Sequence, residues 1–254
     1  MQEREVQFHI QCGPGQVGKY CILPGDPGRC QAIAQYFDDP VHVQTNREYV
    51  TYTGTLLGSR SAWYPPGSAA PPPLSPWRSC VIWGSIPLCE WGPAAGSSWR
   101  SRAAMWWWPP GGADGGTSRE YAPIEYPAVP DYQVLTALTA AAERLGSREG
   151  WGGAVQGLLL WTALPGRMPV SYELEQKWEA WKRLGVLASE MESAALFTVA
   201  AARGVRCGSV FHVIWNQERE KAGLDQKESH DTSAAIQVGV EAVKLLIRQD
   251  RERA

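Results

Sequence analysis

SRSAWYPPGSAAPPPLSPWRSCVIWGSIPLCEWGPAAGSSWRSRAAMWWWPPGGAD, residues 59–114, holds eight of the thirteen Trp and ten of the nineteen Pro of this chain. It contains no alternating or helically spaced apolar run. Pro removes backbone donors and breaks helices and central strands, and buried indoles need N–H partners, so a compact domain uses such a stretch poorly. The coding frame supplies a physical reason for the composition. Trp has the single codon TGG, and successive GTG codons for Val read out of phase give TGG repeatedly, so Trp106, Trp107 and Trp108 look like a buried Val strand in the wrong frame.

Degenerate codons read two nucleotides later support this. Tyr64 to Cys80 then permits STGIGGPSAAIAMEEL, Ile82 to Ser98 permits LGVDTFMRVGTCGGIQ, and Ala104 to Gly111 permits DVVVATG. These are the strand runs, Gly-rich loops and helix starts that the written residues lack. With the opposite offset, Trp151 to Pro165 permits GVVQCKDSFYGQHS, and the two windows together hold ten of the thirteen Trp. The alternative is a natural Pro/Trp-rich insertion. Both shifts restore frame and leave clean sequence downstream, which points to an error in the sequence rather than decay of the gene.

Length and composition bound the rest. The 254 residues suit one domain over 1–254 with a substantial core. A net charge of −2 gives no reason to expect nucleic acid or an anionic membrane as partner. No secretory h-region opens the chain and no apolar run reaches membrane-spanning length, so a cytoplasmic protein is expected. The six Cys form no CxxC pair, which argues for reduced structural thiols rather than zinc or a catalytic thiol.

Outside the windows, strands alternate with helices. Lys19 to Leu23 reads as a buried strand, Cys30 to Phe37 as a helix, Glu48 to Leu57 as a hairpin strand, and Asp131 to Leu145 as a helix stopped by Gly146. Tyr172 to Leu184 and Met191 to Arg203 read as helices, Arg206 to Ile214 as a strand, and Ser229 to Arg248 as a closing helix whose charged end frays. Counting the recovered strands, the pattern predicts an α/β fold, a three-layer α/β/α sandwich with a central mixed sheet, locally disrupted at about 59–115 and 150–165.

Three segments carry candidate chemistry. PGDPGR, Pro24 to Arg29, combines the backbone of Gly25, a helix start and a guanidinium, a set suited to an oxyanion or to a tight strand-to-helix turn with a solvated Arg. TNREYVTYTG sets Arg47 and Glu48 on opposite faces of a strand entry, where Arg47 reaches an anion or the two form a surface ion pair. SEMESAALF, Ser189 to Phe197, flanks Met191 with Glu190 and Glu192 ahead of an apolar helix. A polyol such as ribose needs carboxylate acceptors and an apolar surface, although helix N-termini also favour Glu. His42, His212 and His230 have no partner at metal spacing, and His212 and His230 read as structural.

Together with HI near the start, NREY, GTSREYAPIEYPAVPDY, ASEMESAALFTVAAARG and NQEREKAGLDQKESH, these segments resemble the nucleoside phosphorylases of the uridine phosphorylase group. The recovered GIGGPS, RVGTCGGI and FYGQH resemble that family's phosphate loop, phosphate strand and pyrimidine pocket. The resemblance implies phosphorolysis of uridine to uracil and ribose 1-phosphate, with orthophosphate as co-substrate and no cofactor. It would place phosphate on Gly25 and Arg29, with Arg47 supplied across a subunit interface. Ribose would lie against Glu190, Met191 and Glu192, with His9 of a neighbouring subunit on the 5′ hydroxyl. Arg167 would face the base, and Glu48 resembles a residue that holds potassium between subunits. The implied assembly is a homo-hexamer, a trimer of dimers. Catalytic roles would fall to Arg29, Arg47 and Glu192.

The family's remaining phosphate Arg and Thr would be encoded across Cys89 and Glu90 and across Gly92 and Pro93, and its base-reading Gln across Thr162 and Ala163. None exists in the chain as written, which is therefore expected to be insoluble or inactive. Two other readings stand beside this one: a hexameric purine nucleoside phosphorylase, which would need an Asp where this chain has Ile214, Trp215 and Asn216, and a decayed, non-catalytic product.

Overall fold

The computed structural model describes residues 6–7, 9–47, 49–63, 86–91, 93–96, 106–107, 118–123, 125–146, 153–156, 169–190, 192–225 and 228–254. The first element, β1 (Tyr20–Pro24), is buried throughout and explains how the layers form. Successive strand residues point to opposite faces. Tyr20 and Ile22 enter a core shared with α1 (Arg29–Ala34), α3 (Tyr132–Arg144) and α7 (Ser233–Arg253). Cys21 and Leu23 enter a second core with Ile10, Cys12 and the apolar side chains of α5 (Ser193–Arg203). Helices thus cover β1 on both faces.

Around it runs a mixed sheet in the order β2-β3-β4-β1-β5, with β2 (Asp38–Asn46), β3 (Tyr49–Leu56), β4 (Ser59–Trp63) and β5 (Ile86–Trp91). A second mixed sheet has the order β7-β10-β6-β9-β8, with β6 (Pro93–Gly96), β7 (Trp106–Trp107), β8 (Gly153–Gln156), β9 (Val186–Glu190) and β10 (Phe211–Asn216). The remaining helices are α2 (Ser118–Tyr121), α4 (Ser171–Arg183) and α6 (Gln217–Lys221). A mixed α/β architecture is as the sequence predicts. The described strands nevertheless form two sheets rather than one, and the chain passes between them from β5 to β6.

The boundary of the first anomalous window needs correction. Ser59–Trp63 is a regular strand, antiparallel to β3 and parallel to β1. Trp63 is fully buried, donates its indole N–H to Cys30 O at 2.8 Å, and packs on Phe37 and Tyr52. It is an ordinary core residue, so Ser59–Trp63 does not belong to the anomalous window, and 64–85 lie outside the described residues. Within the windows the backbone at 86–91, 93–96, 106–107 and 153–156 is extended and paired. Neighbouring strands template that pairing through backbone groups alone, whereas Pro87 and Pro93 contribute no donor.

Three further expectations are revised. The strand expected over Arg206 to Ile214 is confined to Phe211–Asn216, because Gly208 lies against α3, where a Cβ would stand 2.5 Å from Val134 Cγ1, and Arg206 is turned to other partners. The helix expected from Met191 starts at Ser193. The closing helix does not fray at Arg248 but continues to Arg253, since Asp250 and Arg251 are anchored. Asp250 meets Arg206 at 2.6 Å and accepts from Tyr20 at 2.8 Å, and Arg251 donates to Leu57 O.

Candidate active site

Backbone register brings the candidate segments to the junction of the two sheets. β5 runs parallel to β1, with Glu90 opposite Leu23 and Trp91 opposite Pro24, at the entrance to the Gly25–Arg29 loop. Two residues later Pro93 stands opposite His212 on β10. Ser189 of β9 stands opposite Ala95 of β6 and Val155 of β8, and Glu190 is opposite Gln156. Cys89, Glu90 and Pro93, where the resemblance expects a further Arg and Thr, therefore lie at the ends of β5 and β6 beside the Gly25–Arg29 loop. Cys89 itself lies at an irregularity in the β1–β5 register. Ligands of α/β proteins bind at such carboxyl ends of parallel strands.

In the loop, Arg29 N donates to Asp26 O at 3.1 Å, and the half-buried Arg29 opens α1. Asp26 Oδ1 takes the Gly28 N–H at 2.8 Å, so that amide is committed within the turn, and Gly25 is exposed. The segment is a tight strand-to-helix turn closed by its own Asp26.

Glu190 and Glu192 differ in kind. Glu190 ends β9 fully buried, and its Oε2 accepts from Glu192 N at 2.7 Å and Ser193 N at 2.8 Å while Oε1 accepts from Ser193 Oγ at 2.5 Å. It ties down the first amides of α5, the work of an N-terminal cap. Burial pushes its carboxyl up to about 7, against the pull of the three donors. Glu192 is half-buried and stands just before the helix, so it is the more accessible carboxylate. Met191 lies outside the described residues, as do Glu48 and Arg167.

His9 and Arg47 form a second group. Arg47 occupies the tight turn between β2 and β3 at φ +55°, not a strand entry as expected. Register explains this, because Asn46 already pairs with Tyr49, leaving two residues for the turn. Asn46 Nδ2 donates to His9 O at 2.5 Å, and the His9 ring meets Tyr49 edge-on at 6.2 Å. The turn and the N-terminal segment are thereby fastened together at the end of β2, the edge strand.

Asn216 gains a role that the sequence reading lacks, and His212 is structural as that reading expects. Asn216 ends β10 and its side-chain oxygen accepts from Glu218 N at 3.0 Å and Arg219 N at 3.1 Å, capping α6. An Asn followed by an acidic first turn is a legible cap signal. His212 is buried, with Nε2 2.9 Å from Ser229 O. Nothing in its local sequence marks it. Among the described residues no group of three His, Cys, Asp or Glu is placed to hold a metal, and no helix is long and apolar enough to cross a membrane.

The described residues thus form a mixed α/β protein with a tight turn at the carboxyl end of β1 and a buried carboxylate at the end of β9. Sequence comparison agrees, since the profile of the phosphorylase superfamily matches residues 103–248. The chain is 43% identical over 252 residues to the uridine phosphorylase of Treponema pallidum, spanning 98% of this chain and 97% of that protein. It is 30% identical over 262 residues to the uridine phosphorylase of Thermococcus kodakarensis, with 99% and 90% covered. It is 29% identical over 259 residues to a guanosine phosphorylase of Halorubrum lacusprofundi, with 94% and 99% covered. The chain belongs to the phosphorylase superfamily.

Proposed function

We propose that this chain is a uridine phosphorylase that splits uridine with orthophosphate into uracil and ribose 1-phosphate. The observation that carries this reading is the 43% identity to a uridine phosphorylase across 98% of the chain. A guanosine phosphorylase at 29% is the specific reason to keep a purine substrate in view. Asn216 argues against it. Where a hexameric purine enzyme would need an Asp to protonate the base, this chain has Ile214, Trp215 and Asn216, and the Asn216 side chain caps α6.

Cleavage of the C1′–N1 bond leaves oxocarbenium charge on the ribose and an electron pair on the leaving uracil. Phosphate held below the sugar stabilises that cation and supplies the oxygen that bonds to C1′, with no covalent enzyme intermediate. Arg29 and the Gly25 backbone would hold the phosphate, and Arg47 would reach it from a neighbouring subunit. Glu192 and Met191 would contact ribose on the turn that Glu190 fixes, His9 of a neighbour would reach the 5′ hydroxyl, and Arg167 would face the base. The joined His9 and Arg47 segments beside an edge strand support delivery of both to a neighbour within a homo-hexamer, a trimer of dimers in a cytoplasmic setting. A three-layer α/β/α domain is the fold in which β1 keeps helices on both faces. Potassium at Glu48 rests on the resemblance alone, and no step is routed through it.

The windows at 64–115 and 150–165 would be out-of-frame copies of the segments that complete this site. The test is a panel of uridine, thymidine and inosine on the protein with both windows restored to frame. Uridine is expected to give the highest kcat/KM, and a preference for inosine would overturn the pyrimidine reading.

A further inference from the structure

The Gly25–Arg29 loop lies at the carboxyl end of β1. At the amino end of that strand, about 15 Å away at the usual rise per residue, the surface opens into a cleft. The cleft has a volume of about 490 Å³, within the range that small ligands occupy, and Val17, Lys19, Ser59, Arg60, Asp250 and Arg251 line it. Backbone contacts build it. Gly18 presses against β4, where a Cβ would stand 2.4 Å from Ser61 Cα, and Lys19 N donates to Arg60 O at 3.0 Å, so Lys19 and Arg60 stand on adjacent chain segments. The β3–β4 turn is left-handed at Leu57 (φ +50°) and Gly58 (φ +70°), and Arg251 of α7 donates to Leu57 O and, at 3.1 Å, to Ser59 Oγ. Three cations from three segments thus rim one cleft, over the buried Val17 and Tyr20.

The charges do not cancel. Asp250 is the carboxylate side chain of the cleft, and Arg206 already meets it at 2.6 Å, with Tyr20 donating at 2.8 Å and Lys19 Nζ 3.9 Å away. The carboxylate of Ala254 adds one negative charge at the rim. Among the described residues, Arg60 and Arg251 donate to the neutral oxygens of Thr53, Leu57 and Ser59 rather than to a carboxylate. We propose that this cleft is a second anion site, separate from the candidate active site, that takes a small organic di- or triphosphate. The guanidinium forks of Arg60 and Arg251 and the ammonium of Lys19 match the phosphate oxygens, and the apolar floor at Val17 takes the organic part. A single dianion would leave one of the three cations unmatched. Every lining residue lies outside the windows at 64–115 and 150–165, so the site does not depend on the uridine reading.

The full chain with both windows restored to frame is titrated by calorimetry with ADP and, separately, with inorganic pyrophosphate. ADP is expected to bind more tightly than pyrophosphate. Lys19→Gln and Arg60→Gln should each weaken ADP about tenfold, the scale of one charge-assisted hydrogen bond, and the pair at least about thirtyfold. Both side chains are exposed, so melting temperatures should stay at the parent value. Arg29→Gln removes a cation at the other end of β1 and should leave ADP affinity within about twofold. Lys177→Gln with Arg203→Gln removes the same charge from exposed positions elsewhere and should do likewise. Absence of ADP binding, or a loss in the remote pair equal to that in Lys19→Gln with Arg60→Gln, would overturn the site. Binding abolished by Arg29→Gln would also overturn it, placing ADP at the candidate active site and leaving the phosphate reading of Arg29 intact. Equal affinity for ADP and pyrophosphate would overturn the organic part of the assignment.

Discussion

Glu190 shows how burial and hydrogen bonding can pull one group in opposite directions. Three donors converge on its carboxylate, but removal from water dominates, and its pKa rises to about 7. A carboxyl whose pKa is higher in the folded than in the unfolded chain binds its proton more tightly when folded. Its stabilising contribution is complete below the ordinary Glu range and is lost as pH rises toward 7. Urea unfolding between pH 4.5 and 8 should therefore show a fall in stability with pH that Glu190→Gln lacks, at most about 1.4 kcal/mol per pH unit. Equal slopes in the two proteins would mean that Glu190 stays ionised in the fold. The same substitution places an amide N–H₂ against the Glu192 and Ser193 amides, and should disturb the turn into α5 even where the pH slope is removed. The sequence shows the two carboxylates of SEMES but not which is buried, because that depends on the depth at which β9 ends beneath its neighbours.

Among the elements, α7 departs furthest from expectation. Its charged end reads as solvated and frayed, yet Asp250 joins Arg206, Tyr20 and Lys19, Arg206 also reaches Gln133 on α3, and Arg251 meets the turn that opens β4. Hydrogen-bonded partners of Asp250 lie 44 and 230 residues away in sequence, separations that periodicity cannot sense. Burial of Asp250 opposes ionisation, but the Arg206 and Tyr20 hydrogen bonds hold its pKa below the usual range. Stability from this pair is thus present above the ordinary Asp pKa and lost as pH falls through the folded value. Asp250→Ala is expected to cost about 1–3 kcal/mol in chemical denaturation at pH 7, and deletion of 249–254 at least as much. A truncation that unfolds like the parent would restore the frayed-end reading. By contrast α3 was legible almost to the residue, because Asp131 caps Gln133 and Val134 and Gly146 terminates at φ +73°, both signals being local. Strands β2 and β9 escaped notice for the opposite reason: β2 is an exposed edge without alternation, and β9 is only five residues long ahead of a more conspicuous helix.

For the molecule as a whole, the chain keeps a mixed α/β architecture, while the segments proposed to complete its site carry residues that the resemblance does not expect. β5 and β6 lie beside the Gly25–Arg29 loop and β9, where register needs only backbone, but the positions there carry Cys89, Glu90, Trp91 and Pro93. Under the proposed frame shift, the guanidinium expected across Cys89 and Glu90 is missing from the proposed phosphate site, where transition-state charge must be balanced. Loss of a single preorganised donor of this kind typically lowers kcat by about 10²–10³. Local preference and global fold also conflict along the windows, which favours partly folded states. Expression of the chain as written should therefore give insoluble or inactive protein, whereas the restored chain should be soluble, scatter light as a hexamer and cleave uridine at least about a hundredfold faster. Resequencing separates the causes: shifts that vanish mean that the gene encodes the working enzyme, and shifts that persist mean that the locus has lost it. Soluble hexamers of the chain as written that cleave uridine at the restored rate would remove the frame explanation, since Trp- and Pro-rich strands would then have to form a competent anion pocket unaided.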